Sequence, residues 1–156
     1  MKPGDRSTIR RLPVPSCAGK RFAVITARFY FDLTEQMLDG AKRALRDCGV
    51  RDSDIRIVEV PGCYELPLAA LKVLQAGKVD AVVALGVVIR GETPHFDFVA
   101  GECARGLMEV QLRTGAPVGF GVLTTETLAQ AEERADPARG DKGYDAGFAA
   151  ACLLEI

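Results

Sequence analysis

Between Val79 and Ile89 the chain reads VDAVVALGVVI, with one charge and no alternation of apolar and polar positions. A strand packed on one face alternates, whereas a strand covered on both faces reads as a near-continuous apolar run. The run is far shorter than the roughly 20 residues a bilayer-crossing helix needs, and it contains Asp80. It therefore predicts a strand buried between two layers of helix.

The rest of the chain agrees with that architecture. RFAVITA (21–27), IRIVEV (55–60) and PVGFGVLT (117–124) read as further strands, each followed by a segment of helical periodicity. Leu33, Met37, Leu38, Ala41 and Leu45 fall on one helical face, with Asp32 and Glu35 as an expected capping pair and Gly49 as the stop. PGCYELPLAALKVLQAG predicts a turn and a helix. Phe96, Val99, Ala100, Cys103, Leu107 and Val110 recur at helical spacing until Gly115 and Pro117, and two more helices are expected near 126–135 and from Asp141 to about Leu154. The order β-α-β-α-β-α-β-α-α predicts an α/β fold, a flavodoxin-like three-layer α/β/α arrangement around a four-stranded, mostly parallel sheet. Residues 1–20 are polar and carry Pro3, Pro13 and Pro15 without periodicity. They predict an N-terminal arm outside the core, leaving 21–156 as a single domain.

Composition excludes several classes. The 156 residues suit one domain, able to bury roughly 70% of its unfolded surface. A net charge of -1, with no block of like charge, argues against a nucleic-acid or membrane-surface partner and favours a small molecule. Five cysteines, odd in number and without a CxxC pair, suggest neither a disulfide framework nor a metal site and read as reduced cytoplasmic thiols. The N-terminus has no apolar signal region.

In open parallel sheets, ligands bind outside the carboxyl ends of the strands, where the strand order reverses. Arg28 to Tyr30, Tyr64 and Glu65, Arg90 to His95, and Thr124 and Thr125 all follow strands and are expected on one rim. His95 is the only histidine. It lies in GETPHFDF, where Gly91 permits a sharp exit, Thr93 suits an N-cap and Pro94 suits the first helical position. That places His95 in a first turn whose free amides and dipole attract anions such as phosphate. The dipole favours the neutral, proton-accepting imidazole, while Glu92 and Asp97 pull the other way. These local residues alone leave open an ordinary helix start carrying a surface histidine.

VPGCYELP (60–67), ALGVVIRGETPHFDFVAGE (84–102), GFGVLTTETLAQAEERA (119–135) and DKG (141–143) resemble, in order and spacing, the signature blocks of the lumazine synthase family, from about Arg21 to the end. The resemblance implies condensation of 5-amino-6-(D-ribitylamino)uracil with 3,4-dihydroxy-2-butanone 4-phosphate to 6,7-dimethyl-8-ribityllumazine, phosphate and water, the penultimate step of riboflavin biosynthesis. It implies neither metal nor organic cofactor. His95 takes the place of the general acid and base. Phe29 resembles the aromatic that stacks on the pyrimidine, Glu65 the carboxylate that binds ribityl hydroxyls, and Cys63 and Tyr64 offer backbone contacts beside it. Val88 and Ile89 line the pyrimidine pocket, with Glu92 and Thr93 at its phosphate end. Arg134 resembles the arginine that pairs with the substrate phosphate, and Phe120 and Lys142 resemble residues that complete the pocket.

Read without the resemblance, Phe29 is a core aromatic, Glu65 an acid favouring a helix start, and Glu132, Glu133 and Arg134 a solvated face. Arg90 is expected only to pair with nearby acids. Where many family members have asparagine after the stacking phenylalanine, this chain has Tyr30. In the family, Phe120, Arg134 and Lys142 come from the neighbouring subunit, which implies a homopentamer with the site at the interface. Decamers and hollow sixty-subunit shells are further states of such rings. An open four-stranded sheet also leaves edges on which the arm of a neighbour can dock. A non-catalytic binder of lumazine or riboflavin, a shell-forming paralogue and a flavodoxin-like electron carrier are the rivals. His95 and Arg134 count against the first, and the lack of tryptophan counts against the last.

Overall fold

The computed structural model describes residues 9–156, and the expectations that fall on residues 1–8 of the arm lie outside the described residues. Four strands form one sheet: β1 (Phe22–Ala27), β2 (Ile55–Val60), β3 (Ala81–Ile89) and β4 (Val118–Thr125), in the order β2-β1-β3-β4. Every pairing is parallel. The expectation of a mostly parallel sheet thus tightens to a wholly parallel one. The chain leaves β1 for β2 on one side, then returns to β3 on the other, so the order reverses between β1 and β3.

Helices cover both faces. α1 (Phe31–Asp47), α4 (Leu128–Ala135) and α5 (Lys142–Leu154) pack over a core that includes Phe22, Val24, Met37, Leu45, Val83, Leu85 and Phe148. α2 (Leu66–Gln75) and α3 (His95–Thr114) enclose Ala23, Ile25, Leu66, Val82, Ala84, Cys103 and Leu107 on the opposite face. Alternate residues of β1 and β3 thus enter different cores, which explains the absence of polar alternation in VDAVVALGVVI. At β4 the sheet meets α5 at Gly119 and Gly121, where a Cβ would strike the Ala146 backbone and the Leu85 side chain. Only glycine allows so close an approach.

Two expectations are corrected. Asp32 and Glu35 do not cap α1, whose first turn has no side-chain cap; Tyr30 stands at the N-cap with φ 62° and ψ 52°. The amides of Arg28 and Phe29 still bond the carbonyls of Val60 and Pro61, at 2.8 and 3.1 Å. With the chain tied to β2 as far as Phe29, the reversal into α1 falls on Tyr30 alone. The second correction concerns the arm. Cys17 is 1% exposed, its amide donates to the Cys48 carbonyl at 2.7 Å, and Pro15 is also buried. The C-terminal end of the 1–20 segment is therefore part of the core, because Cys17 fills space between α1 and α5 that periodicity could not reveal. Leu12 and Val14 remain exposed, at 52% and 63%.

Candidate active site

The crevice at the β1/β3 reversal is a cavity of about 650 Å³. Three segments build it, and each is held by a local device. After β1, Phe29 and Tyr30 project their rings at the rim, edge to face with centroids 5.0 Å apart. After β2 the chain makes a single 3-10 turn, Cys63–Glu65. It is closed on itself: the Glu65 amide donates to the Gly62 carbonyl at 3.2 Å, and the Gly62 amide to Glu65 Oε2 at 3.1 Å. After β3, Val88 and Ile89 line the floor, and Gly91 and Thr93 lead into α3.

His95 is the first residue of α3, one position beyond the expected start. Pro94 occupies the N-cap position, while the Thr93 hydroxyl accepts from the His95 amide at 3.4 Å. Thr93 thus serves as an oxygen cap for the first turn. The His95 side chain is exposed on the cavity rim and has no hydrogen-bonding or ionic partner among the described residues. Phe96, Phe98 and Val99 of the same helix complete the wall. Beside this turn, Arg90 is tied to Glu126 at 2.7 Å and Asp97 at 3.3 Å, with its guanidinium 4.4 Å from the Phe96 ring centroid. Hydrogen bonding to Asp97 raises its pKa above the usual arginine value. As expected, Arg90 is a strut between the β3 and β4 loops.

Of the residues expected at the site, Phe29, Cys63, Tyr64, Glu65, Val88, Ile89, Thr93 and His95 line this one cavity. Glu92 is exposed next to it without forming its wall. Phe120, Arg134 and Lys142 stand elsewhere. Phe120 is 49% exposed on the edge strand β4. Arg134, on α4, donates to the Gln130 carbonyl at 3.0 Å and makes no ion pair among the described residues, despite Glu132 and Glu133 beside it. Lys142 opens α5 and pairs with Asp145 at 3.2 Å. The wall residues sequence reasoning left out are Gly62, Val87, Phe96, Phe98 and Val99, while Tyr30 and Gly91 lie on the rim as expected. Phe98 had a usable signal: it lies three residues after His95, hence on the same helical face.

The chemistry available in this cavity is specific. Its wall is largely apolar and aromatic, suited to a flat heterocycle. It contains one carboxylate, Glu65, and one imidazole, His95, but no lysine or arginine. Of the first-turn amides of α3, that of His95 is bonded to the Thr93 hydroxyl and that of Asp97 to the Pro94 carbonyl, which leaves the Phe96 amide and the positive end of the helix dipole available to an anion. No group of three or more His, Cys, Asp or Glu among the described residues could hold a metal ion, and no helix among them is long and apolar enough to cross a membrane.

Comparison with known proteins gives the same direction. The family model described as 6,7-dimethyl-8-ribityllumazine synthase matches residues 19–156. A protein of Desulfotalea psychrophila named 6,7-dimethyl-8-ribityllumazine synthase is 53% identical over 132 residues, covering 85% of this chain and 85% of its own length. A protein of the same name from Desulfatibacillum aliphaticivorans is 47% identical over 141 residues, covering 90% of this chain and 91% of its own. Likeness of this extent, running through every strand and helix that furnishes the cavity, makes the chain a member of the 6,7-dimethyl-8-ribityllumazine synthase family and a transferase-type enzyme.

Proposed function

We propose that the chain catalyses the penultimate step of riboflavin biosynthesis: 5-amino-6-(D-ribitylamino)uracil and 3,4-dihydroxy-2-butanone 4-phosphate condense to 6,7-dimethyl-8-ribityllumazine. The primary amine attacks the ketone, and loss of water leaves an imine. Phosphate is then eliminated, and the ribityl-bearing nitrogen closes the ring on the remaining carbonyl with loss of a second water. Each step moves a proton, and His95 is the group at the cavity that can both accept and donate one. Phe29 offers its face to the pyrimidine, Val88 and Ile89 its bed, and Glu65 accepts from ribityl hydroxyls beside Cys63 and Tyr64. Glu92 and Thr93 flank the phosphate at the helix start. The combination of a lone histidine with a helix start in one aromatic cavity is the observation that carries this reading.

The phosphate needs a cation, and the cavity wall holds none. Arg134 is free of carboxylate partners among the described residues, which supports its guanidinium as a phosphate clamp on an adjoining subunit, with Phe120 and Lys142. Large apolar side chains left in solvent, among them Phe98 at 68%, Leu112 at 76% and Phe120 at 49%, support a homo-oligomer. The proposed assembly is a homopentamer in a reducing cytoplasm, with the arm before the sheet docked on a neighbour and the site at each interface.

The test mixes purified protein with both substrates and follows lumazine absorbance and phosphate release together. Equal amounts of both products are expected. Tight binding of the lumazine without phosphate release would replace this reading by a non-catalytic binder.

A further inference from the structure

The segment joining α4 to α5 carries both cations assigned to the phosphate of the adjoining subunit, with Arg134 in the last turn of α4 and Lys142 as the first residue of α5. It folds back on α4. The Gly140 amide donates to the Glu133 carbonyl at 2.9 Å, and the Asp141 amide to the Asp136 carbonyl at 3.0 Å. Gly140 lies so close to the Arg134 backbone that a Cβ there would overlap it. The reversal therefore returns the chain to Arg134 just two residues before Lys142. Like charges gathered on one turn repel each other, so its shape depends on what anchors it.

The anchor comes from α1. Asp141 is 2% exposed and stands at the N-cap of α5 with φ 50° and ψ 44°, a left-handed conformation unfavourable to a residue that carries a Cβ. Its side chain does not cap the helix. It accepts a two-pronged bond from Arg43, Nη2 to Oδ1 at 2.7 Å and Nη1 to Oδ2 at 3.3 Å, between residues 98 apart in the chain. The guanidinium is itself held, because its Nε donates to Asp39 at 2.9 Å and its carbon lies 5.6 Å from the Tyr144 ring centroid. At Gly40, α1 comes so near that a Cβ would strike Asp141 Oδ1 and the Tyr144 amide. Hydrogen bonding to Asp141 raises the Arg43 pKa above the usual arginine value. A buried ion pair adds little net stability, since desolvation offsets attraction, but an arrangement that leaves one charge buried alone is strongly disfavoured. The pair selects one shape of the turn.

We propose that Arg43 and Asp141 are positioning residues: their fork fixes the left-handed turn from which Lys142 departs, and so holds Arg134 and Lys142 ready for the substrate phosphate of the adjoining subunit. The inference rests on the roles proposed above for Arg134 and Lys142. Arg43 and Asp141 act through the turn and touch no substrate. Their loss leaves both cations in the chain but lets the turn that presents them relax, and a group held loosely binds less well than one held in place.

Two variants of the full-length protein test this. Arg43→Met removes the fork, and Arg43→Met with Asp141→Asn also removes the carboxylate that the single change leaves buried and unpaired, asparagine being suited to the left-handed backbone. In both, KM for the phosphorylated substrate is expected to rise about fivefold, less than on loss of Arg134 itself, with kcat and KM for the pyrimidine within about twofold. Arg43→Lys, which offers a point charge without the fork, should recover part of the rise. Hydrogen exchange of the unliganded protein, read by mass spectrometry, should quicken at the Gly140 and Asp141 amides in both variants. Unchanged exchange there, an unchanged KM in the folded double variant, or an equal rise for both substrates would each overturn the proposal. Inorganic phosphate, titrated and followed by phosphorus NMR line width, needs no turnover. If the parent protein makes no lumazine, the proposed reaction falls, while weaker phosphate binding in both variants still supports the positioning of the cations and undiminished binding overturns it.

Discussion

Replacing His95 by glutamine removes the proposed proton carrier while keeping a polar side chain of similar reach. Positioned general acid and base groups contribute about 10² to 10⁴ in rate, or roughly 2.7 to 5.4 kcal/mol of barrier. Two observations set the expected loss near the lower limit. The imidazole is exposed at the rim, and no side chain among the described residues orients it, as a carboxylate does in a histidine whose position is fixed. Holding two reactants side by side is worth more than a loosely held proton carrier. That contribution belongs to the aromatic wall and survives the change. His95→Gln is therefore expected to lower kcat by about 10²-fold, with KM for either substrate within about threefold, because its contacts matter in proton transfer rather than in binding. Steady-state lumazine formation measures both constants, and circular dichroism with a melting curve establishes that the variant is folded. A folded variant without measurable turnover would refute the reasoning, as would one whose kcat falls by less than about threefold.

Three further outcomes follow from particular contacts. Arg134→Gln should raise KM for the phosphorylated substrate by at least about tenfold with little change for the pyrimidine, and Arg134→Lys should recover part of it, as expected for loss of a charge-assisted fork; equal effects on both substrates would contradict that role. Tyr30 holds a left-handed backbone conformation that costs a non-glycine residue roughly 1–2 kcal/mol, and asparagine tolerates it better. Tyr30→Asn loses the ring contact with Phe29 but should still raise the melting temperature, by about 1–3 °C. At Gly143 a Cβ would overlap the Met37 backbone at the crossing of α1 and α5, so Gly143→Ala should cost about 2 kcal/mol, whereas Gly101→Ala, with open space around it on α3, should gain about 0.5–1 kcal/mol in a denaturant titration.

The sequence by itself determined the layers. Period-two and period-3.6 patterns depend on which side of a strand or helix meets water, a local property, and VDAVVALGVVI could only lie between two cores. Element boundaries followed to within a residue or two at every strand, and the helix start at His95 was legible because threonine, proline and a preceding glycine act on their own backbone. The family resemblance also named the cavity side chains Phe29, Glu65, Val88 and His95. Tertiary structure alone decided the rest. That β1 lies between β2 and β3, so that segments 29–30, 62–65 and 87–99 share one cavity, depends on pairings between strands far apart in the chain. Only the packed core could draw Cys17 inside and make Tyr30 carry the turn into α1. Each of these follows from which surfaces are left once the two helical layers close on the sheet, and periodicity records only that a residue is apolar, not what it will touch.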